Sequence, residues 1–475
     1  MDDESYTTAT GDLLSFSVDT LSLDTVITSL GTPTKSFMIY NHNEKTIRIS
    51  YASLQNGNES GFRINIDGIY ISDKYQGQLE VRGKDSIRVF VEQTAKEQNN
   101  DEALLITDKL SLTLESGIQQ SVVLQSYGQD VIPLRNLKIT SDTTLASKRP
   151  YHVFDTLTIA EGATLHIAPG VRFLFHSGAG IKAEGTIKAE GTLEKPIIFR
   201  GDRLDNIFEN QPYDRLPGRW NGIRLMGNSY YNVFNNCDIH STYTAIQCDS
   251  SALDKEKLRL ENSIIMNAKG KGVSICNSRA FVGNTQITNT QSYCVYLCGG
   301  YSEFVHCTIG SFYGFDSKRE SALFFTNGIN GVIYPLEKAA FLNSIITGYS
   351  EDEIYGVGLS EQEDSEIMFN YYFSHCLLRT PAVLDKPDHY FEIIWDKKEN
   401  KVSGKDNFKN FDFDKLLFDF RLDSLSPAIG IGDTEITRTF YPFDRNGVAR
   451  LQQGASDAGC YEYVLPEQKA VRKNP

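Results

Sequence analysis

Cysteine is missing from the first 236 residues and then occurs eight times, at 237, 248, 276, 294, 298, 307, 376 and 460. No disulfide framework can therefore hold the N-terminal half, which must fold by burial alone. Metal spacing is lacking among the later thiols as well. Cys294 and Cys298 have neither the two-residue gap nor a second matching pair that a zinc site would need, so buried free thiols are expected, with no metal and no cofactor. Apolar runs approaching the roughly 18 residues of a membrane span are absent. The chain opens Met1-Asp2-Asp3-Glu4, without the basic and then apolar stretch of a secretory leader. Positive charge is also short: 47 Lys and Arg face 61 Asp and Glu, a formal charge of −14. Such a surface repels phosphate backbones, so nucleic acid is not expected as a partner. An acidic polysaccharide is disfavoured only weakly, because one basic groove would admit it.

What the chain does have is length, 475 residues, with 37 Gly, 24 Tyr and 27 Phe. That is too long for one ordinary core, and the composition suits a β-rich protein with many turns. Residues 1–11 are small and polar and read as a flexible tether. From Leu14 apolar residues alternate with period two, as in Phe37 and Ile39, Phe62, Ile64 and Ile66, and Ile87, Val89 and Val91. Turn-rich stretches such as Asn56-Gly57-Asn58 separate them, and a β-sandwich of seven to eight strands is expected over 12–131.

The texture then changes. Asp155-Thr156-Leu157-Thr158-Ile159-Ala160-Glu161-Gly162-Ala163-Thr164-Leu165-His166-Ile167 reads as strand, tight turn, strand, and Ile181-Lys182-Ala183-Glu184-Gly185-Thr186 is followed at once by a second copy, Ile187-Lys188-Ala189-Glu190-Gly191-Thr192. Between 234 and 378 a six-residue phrase recurs six times: a large apolar residue, any residue, Asn or His, a small Cys, Ser or Thr, any residue, then Ile or Leu. The copies start at Phe234, Leu260, Val282, Phe304, Phe341 and Phe373, separated by 26, 22, 22, 37 and 32 residues. Periods of that size mark a solenoid, and the 22-residue spacing is the bare coil. Stacked about 4.8 Å apart, the apolar and small positions would form one buried surface. The Asn or His column, including His306 and His375, would sit at a bend that needs left-handed backbone, so those histidines are corners rather than ligands.

Three stretches carry a family resemblance: 155–202, the motif Pro217-Gly218-Arg219-Trp220-Asn221-Gly222-Ile223, and the closing phrases Ser426-Pro427-Ala428-Ile429-Gly430 and Asp457-Ala458-Gly459-Cys460-Tyr461-Glu462-Tyr463. Over about 134–464 the chain resembles the right-handed β-helix repeat lipoproteins of the Bacteroidota, in the pectate-lyase-like superfamily. Gly31-Thr32-Pro33-Thr34-Lys35-Ser36-Phe37 with Asn41-His42-Asn43 resembles the immunoglobulin-like sandwiches of the ASH type. The resemblance implies an all-β chain: a sandwich over 12–131, then a right-handed single-stranded parallel β-helix of nine to ten coils with an end cap over 132–464, and a tail over 465–475. It also implies a lipoprotein of the outer membrane, displayed at the cell surface, with Met1 standing where a lipidated Cys would be and Asp2-Asp3-Glu4 as the export signal.

Chemistry on such a scaffold needs paired carboxylates or a calcium cluster with a basic partner. The loop 201–219 offers Asp202, Asp205, Asp214 and Arg219, with Asp238 nearby, and these are the candidate catalytic residues. The paired signatures of the lyase and polygalacturonase families are absent. Aromatic residues in the loop and between repeats, Tyr213, Trp220, Tyr230, Tyr231, Tyr301, Phe312 and Tyr313, are the candidate binding residues, able to stack on sugars or pack on a partner. The expected function is non-catalytic: a surface lipoprotein whose β-helix loops bind a glycan or another outer-membrane protein, touching the membrane only through its anchor. A polysaccharide lyase or glycoside hydrolase using the 201–219 loop, and a purely structural spacer, are the alternatives.

Overall fold

A computed structural model describes residues 6–71, 73–359, 368–396, 404–452 and 454–465. Residues 1–5, with Asp2-Asp3-Glu4 and the start of the expected tether, and nearly all of the expected 465–475 tail lie outside them. The chain forms two units, Met1–Ile132 with Arg203–Tyr213, and Pro133–Asp202 with Asp214–Pro475.

The first unit is a β-sandwich. Its six-stranded sheet is built on Thr46–Leu54, Leu104–Leu114 and Gln119–Gln129, and its five-stranded sheet on Lys35–Asn41, Asp85–Gln93 and Phe62–Ile66. Period-two alternation puts Ile39, Ile64, Val89 and Val91 of one sheet against Leu110, Leu112, Val122 and Leu124 of the other, all buried.

The second unit is a parallel β-helix with three sheets of eleven, nine and ten strands among the described residues. The first sheet includes Tyr151–Val153, Arg172–Phe175, Ile197–Gly201 and Cys237–His240. The second includes Gly180–Ala183, Ile223–Leu225 and Val295–Cys298. The third includes Glu256–Glu261, Arg279–Gly283, Gly300–Val305, Leu336–Leu342 and Phe369–Ser374. The six-residue phrase is the corner between the third sheet and the first. Its opening residues pair in order, Phe234 with Leu260, then Val282, Phe304, Phe341 and Phe373. Its closing residues pair from Ile239 through Ile265, Ile287, Ile309 and Ile346 to Leu378. The two tandem copies occupy successive sheets of one coil, with Ile181 over Leu157 and Ile187 over Leu165. Between them Gly185 is obligatory, since a Cβ there would meet the Ala163 carbonyl oxygen at 2.2 Å.

The bend column is left-handed throughout: Asn236, Asn262, Asn284, His306, Asn343 and His375 have φ between 47° and 52°. Amide contacts run along part of it, Asn284 Nδ2 donating to Asn262 Oδ1 at 2.7 Å and Asn343 Nδ2 lying 3.1 Å from His306 Nε2. The small fourth position does more than fill space. Ser263 Oγ accepts the Cys237 N–H of the preceding coil at 3.0 Å, and Ser344 Oγ accepts that of Cys307 at 3.0 Å. Ser263 and Ser344 also donate to the carbonyls of Glu261 and Leu342, two residues upstream. Ser, Thr and Cys share this position because each is compact and both donates and accepts. The four phrase-column and end-segment thiols are buried, and burial raises each thiol pKa, that of Cys376 to about 12.

Residues 404–465 return along the flank instead of closing the last coil. They contain a hairpin, Phe408–Asp412 with Leu417–Leu422, and a helix, Thr434–Phe440. The closing phrase lies on the first sheet: Cys460 N–H donates to Thr308 Oγ1, Gly459 N–H to the Asn343 carbonyl and Tyr461 Oη–H to Gln286 Oε1. Asp457 accepts the N–H groups of Gly430 and Tyr463, which ties the two closing phrases together.

Candidate functional site

The loop 201–219 does not bring its charges into one open site. Asp205 accepts from Arg203 Nε and Nη2, each at 2.6 Å, and Arg203 lies 4.0 Å above the Tyr213 ring, all within the first unit. In the second unit Arg219 Nε donates to the Pro217 carbonyl. Asp214 Oδ2 is 2.8 Å from Arg200 Nη1 and 3.3 Å from His240 Nε2, while His240 Nδ1 is 2.8 Å from Asp238 Oδ1. The imidazole thus lies between the two carboxylates and is itself buried, which leaves no room there for a glycosidic oxygen and a water. Burial opposes the charge on His240, but Asp238 and Asp214 outweigh it and push its pKa up to about 9. Burial also works against both acids, and His240 holds them below the usual carboxylate range, with Arg200 adding to the effect on Asp214. Asp202 belongs to a different cluster, with His152 and His176.

The aromatic candidates are placed as follows. Trp220 is 1 % exposed, stacks on Phe175 at 4.0 Å and donates its indole N–H to the His240 carbonyl. Phe312 and Tyr313 are interior. None of these three can touch a ligand. Tyr230 is half-buried beneath Lys255 and Lys257, and Tyr231 is exposed. Tyr301 is half-buried, its ring 4.8 Å from the Arg279 guanidinium and 5.1 Å from Lys338 Nζ. With a cation against it from the coil on either side, Tyr301 supports a site rather than offering a stacking face.

That site is a groove on the outer face of the third sheet, enclosing about 370 Å³ between Glu256, Arg259, Glu261, Arg279, Tyr301 and Glu303, with Phe440 and Tyr441 from the end of the helix. Its walls are two outward columns in register, Glu256, Arg279, Tyr301 and Lys338, and beside them Arg259, Phe281 and Glu303. Arg259 grips Glu256 with two contacts of 2.9 and 2.8 Å. Glu261 accepts from Tyr441 Oη–H at 2.6 Å, and Lys338 Nζ lies 2.6 Å from Glu303. Burial opposes the charge on Lys338 while Glu303 and Tyr301 raise its pKa. Arg279 is exposed, and among the described residues no carboxylate pairs with it. Phe440 is 42 % exposed with its ring stacked on Phe281 at 5.9 Å, so one aromatic face is backed and the other is available.

Groove residues sit just before the repeated phrase, as Arg259, Phe281 and Glu303 do, or at its unspecified second position, as Glu261 does. The signal that points to them is outward alternation within the repeat itself, not the long inserts. A second outward column, Tyr296, Phe324 and Tyr355 on the second sheet, spends its ring faces on one another, at 5.2 and 5.8 Å, and presents mainly edges. Chemically the groove offers guanidinium, carboxylate and phenol groups to a hydroxyl-rich ligand. Each carboxylate in it already has a partner: Glu256 has Arg259, Glu261 has Tyr441 and Glu303 has Lys338.

Over residues 171–309 the chain matches a family described as a right handed beta helix region, which agrees with parallel coils of right-handed connection. Among curated proteins none matches this chain. A family 123 glycoside hydrolase from Clostridium perfringens, described for glycolipid glycan hydrolysis, aligns at 8 % identity with a TM-score of 0.18. The alignment covers 26 % of this chain and 26 % of that one, a likeness that carries no argument.

Proposed function

We propose that the protein is a non-catalytic glycan-binding β-helix whose site is the groove on the third sheet. The observation that carries the reading is the balance at that groove: Glu256, Glu261 and Glu303 face Arg259 and Arg279, Lys338 is held against Glu303 from the next coil, and Phe440 is an exposed ring. With Lys338 counted beside the two arginines of the lining, three acids meet three bases, a local balance although the whole chain carries −14. An uncharged oligosaccharide suits such a lining better than a polyanion, its hydroxyl groups meeting fixed donors and acceptors and one sugar face lying on Phe440.

Display at the surface of an outer membrane by an N-terminal lipid belongs to the same proposal, supported by the likeness of Asp2-Asp3-Glu4 to an export signal. So does the immunoglobulin-like, ASH-type reading of the sandwich. A screen of neutral and acidic glycans followed by calorimetry tests the site. Phe440→Ala and Arg279→Ala, both at exposed positions, are expected to weaken the best neutral ligand by about 10-fold or more each, a loss of about 1.4 kcal/mol. A blank screen, or full affinity in both variants, sinks the reading.

A further inference from the structure

Three consecutive coils of the first sheet end in a row fixed by backbone pairing. His176 N–H donates to the Val153 carbonyl and Asp202 N–H to the Phe175 carbonyl, each at 2.9 Å, so His176 and Asp202 follow their strands at equivalent places one coil apart. His152 sits one coil earlier, on the strand Tyr151–Val153, where its register partner is Leu174. The side chains converge. His152 Nε2 lies 3.1 Å and His176 Nδ1 2.7 Å from the same oxygen, Asp202 Oδ2, and one ligand atom from each residue falls within 4.8 Å of the others.

We propose that His152, His176 and Asp202 form a binding site for a divalent transition-metal ion of the Zn²⁺ class. Tetrahedral zinc with bonds of about 2.0–2.1 Å sets neighbouring donor atoms roughly 3.3 Å apart. The two contacts to Asp202, 3.1 and 2.7 Å, are both shorter than that spacing, and small side-chain rotations would open them to it. Two imidazoles and one carboxylate favour zinc or a neighbouring first-row metal over calcium or magnesium, which take oxygen donors. Three protein donors leave a position open to water or a ligand group. His176, with 55 % of its side chain exposed, gives the ion a way in.

His152 is the buried member of the set. It is 0 % exposed, packs 4.0 Å from the Phe154 ring, and its Nδ1 is buried without a hydrogen-bond partner. An imidazole buried only to fill space leaves that polar atom uncompensated, and the next coil uses leucine at the register position. A metal bond at Nε2 is a stabilising interaction that leucine cannot make; a neutral imidazole accepts it by carrying its proton on Nδ1, and one cation then takes the place of the contacts to Asp202.

The test uses the full chain without a polyhistidine tag, stripped with EDTA and titrated calorimetrically with Zn²⁺ and Co²⁺. One ion per chain is expected with a Kd on the order of micromolar or tighter. His176→Ala, an exposed position where the fold should survive, and Asp202→Asn should each weaken binding by more than about 10-fold and abolish the visible absorption of four-coordinate Co²⁺. His166→Ala, an exposed histidine elsewhere on the coils, should change nothing. Absence of binding at millimolar Zn²⁺, or equal affinity in wild type, His176→Ala and His166→Ala, overturns the proposal. Neither outcome bears on the groove of the third sheet.

Discussion

Replacing Phe341 with alanine is expected to cost the β-helix about 3–5 kcal/mol. Its ring is fully buried in the middle of a stack, 4.8 Å from Phe304 and 5.0 Å from Phe373, both at 13°, and Phe373 continues to Tyr390 at 5.3 Å. The backbone ladder holds neighbouring coils at a set rise, so the flanking rings cannot close on the space left behind. The cavity penalty should therefore lie near the upper end of its range, with about 0.5–1.5 kcal/mol more for each lost ring pair. Urea unfolding followed by far-ultraviolet dichroism measures it, with Phe341→Leu, expected to lose less, as the volume control. A loss below about 1 kcal/mol for the alanine variant would mean that the stack does not hold these coils together.

The second large effect is at His240. Its imidazolium is buried between Asp214 and Asp238, and removing it as His240→Ala leaves two poorly solvated carboxylates, of which Asp214 keeps its contact with Arg200, a change worth about 3–5 kcal/mol. The pH dependence has a definite sign. The folded pKa, about 9, lies above the unfolded value of 6.5, so this stabilisation is fully present below 6.5 and is lost as pH rises through 9. The two carboxylates act oppositely: held low in the fold, they contribute above about 4 and lose that contribution as pH falls through their folded values. Glu353 and Glu462, both pushed up to about 7 chiefly by burial, titrate in wild type and variant alike. The difference between the two stability curves therefore isolates His240. It should shrink between pH 6.5 and 9 by about 3 kcal/mol, and a constant gap across that window would refute the assignment.

Much of the solenoid was legible because stacking turns register into repetition. The apolar first and sixth positions, the left-handed Asn and His corners and the tandem Ile181 and Ile187 segments all fall where the period puts them. Less legible was anything the period treats as free. The residues before the phrase and at its second position looked arbitrary because their constraint comes from neighbours one coil away, yet Arg259, Phe281, Glu303 and Glu261 line the groove. Composition drew attention to the loop 201–219, but its charges are consumed in local pairs and Trp220 turns inward onto Phe175. Tyr301 was found by its setting among the repeats, although its role differs from a stacking platform. His152, His176 and Asp202 are 24 and 26 residues apart, close to one coil each, a spacing that marks shared position in a solenoid but matches no local metal motif. The closing phrase, for which the family resemblance implies an end cap, has bonds of its own, Asp457 to Gly430 and Glu462 to Arg450, that are compatible with a place anywhere on the surface.

The returning C-terminal segment changes how this array should come apart. A bare solenoid touches only its nearest neighbours and can fray one coil at a time. Here Tyr441 reaches Glu261, Arg450 reaches Asn284, Cys460 reaches Thr308 and Asp433 reaches Asn343, so one strap fastens four consecutive coils. Opening any coil beneath it requires releasing the strap or straining the others. Amide protons from Glu261 to Asn343 should therefore exchange with solvent as one slow block, whereas coils beyond the strap open piecemeal.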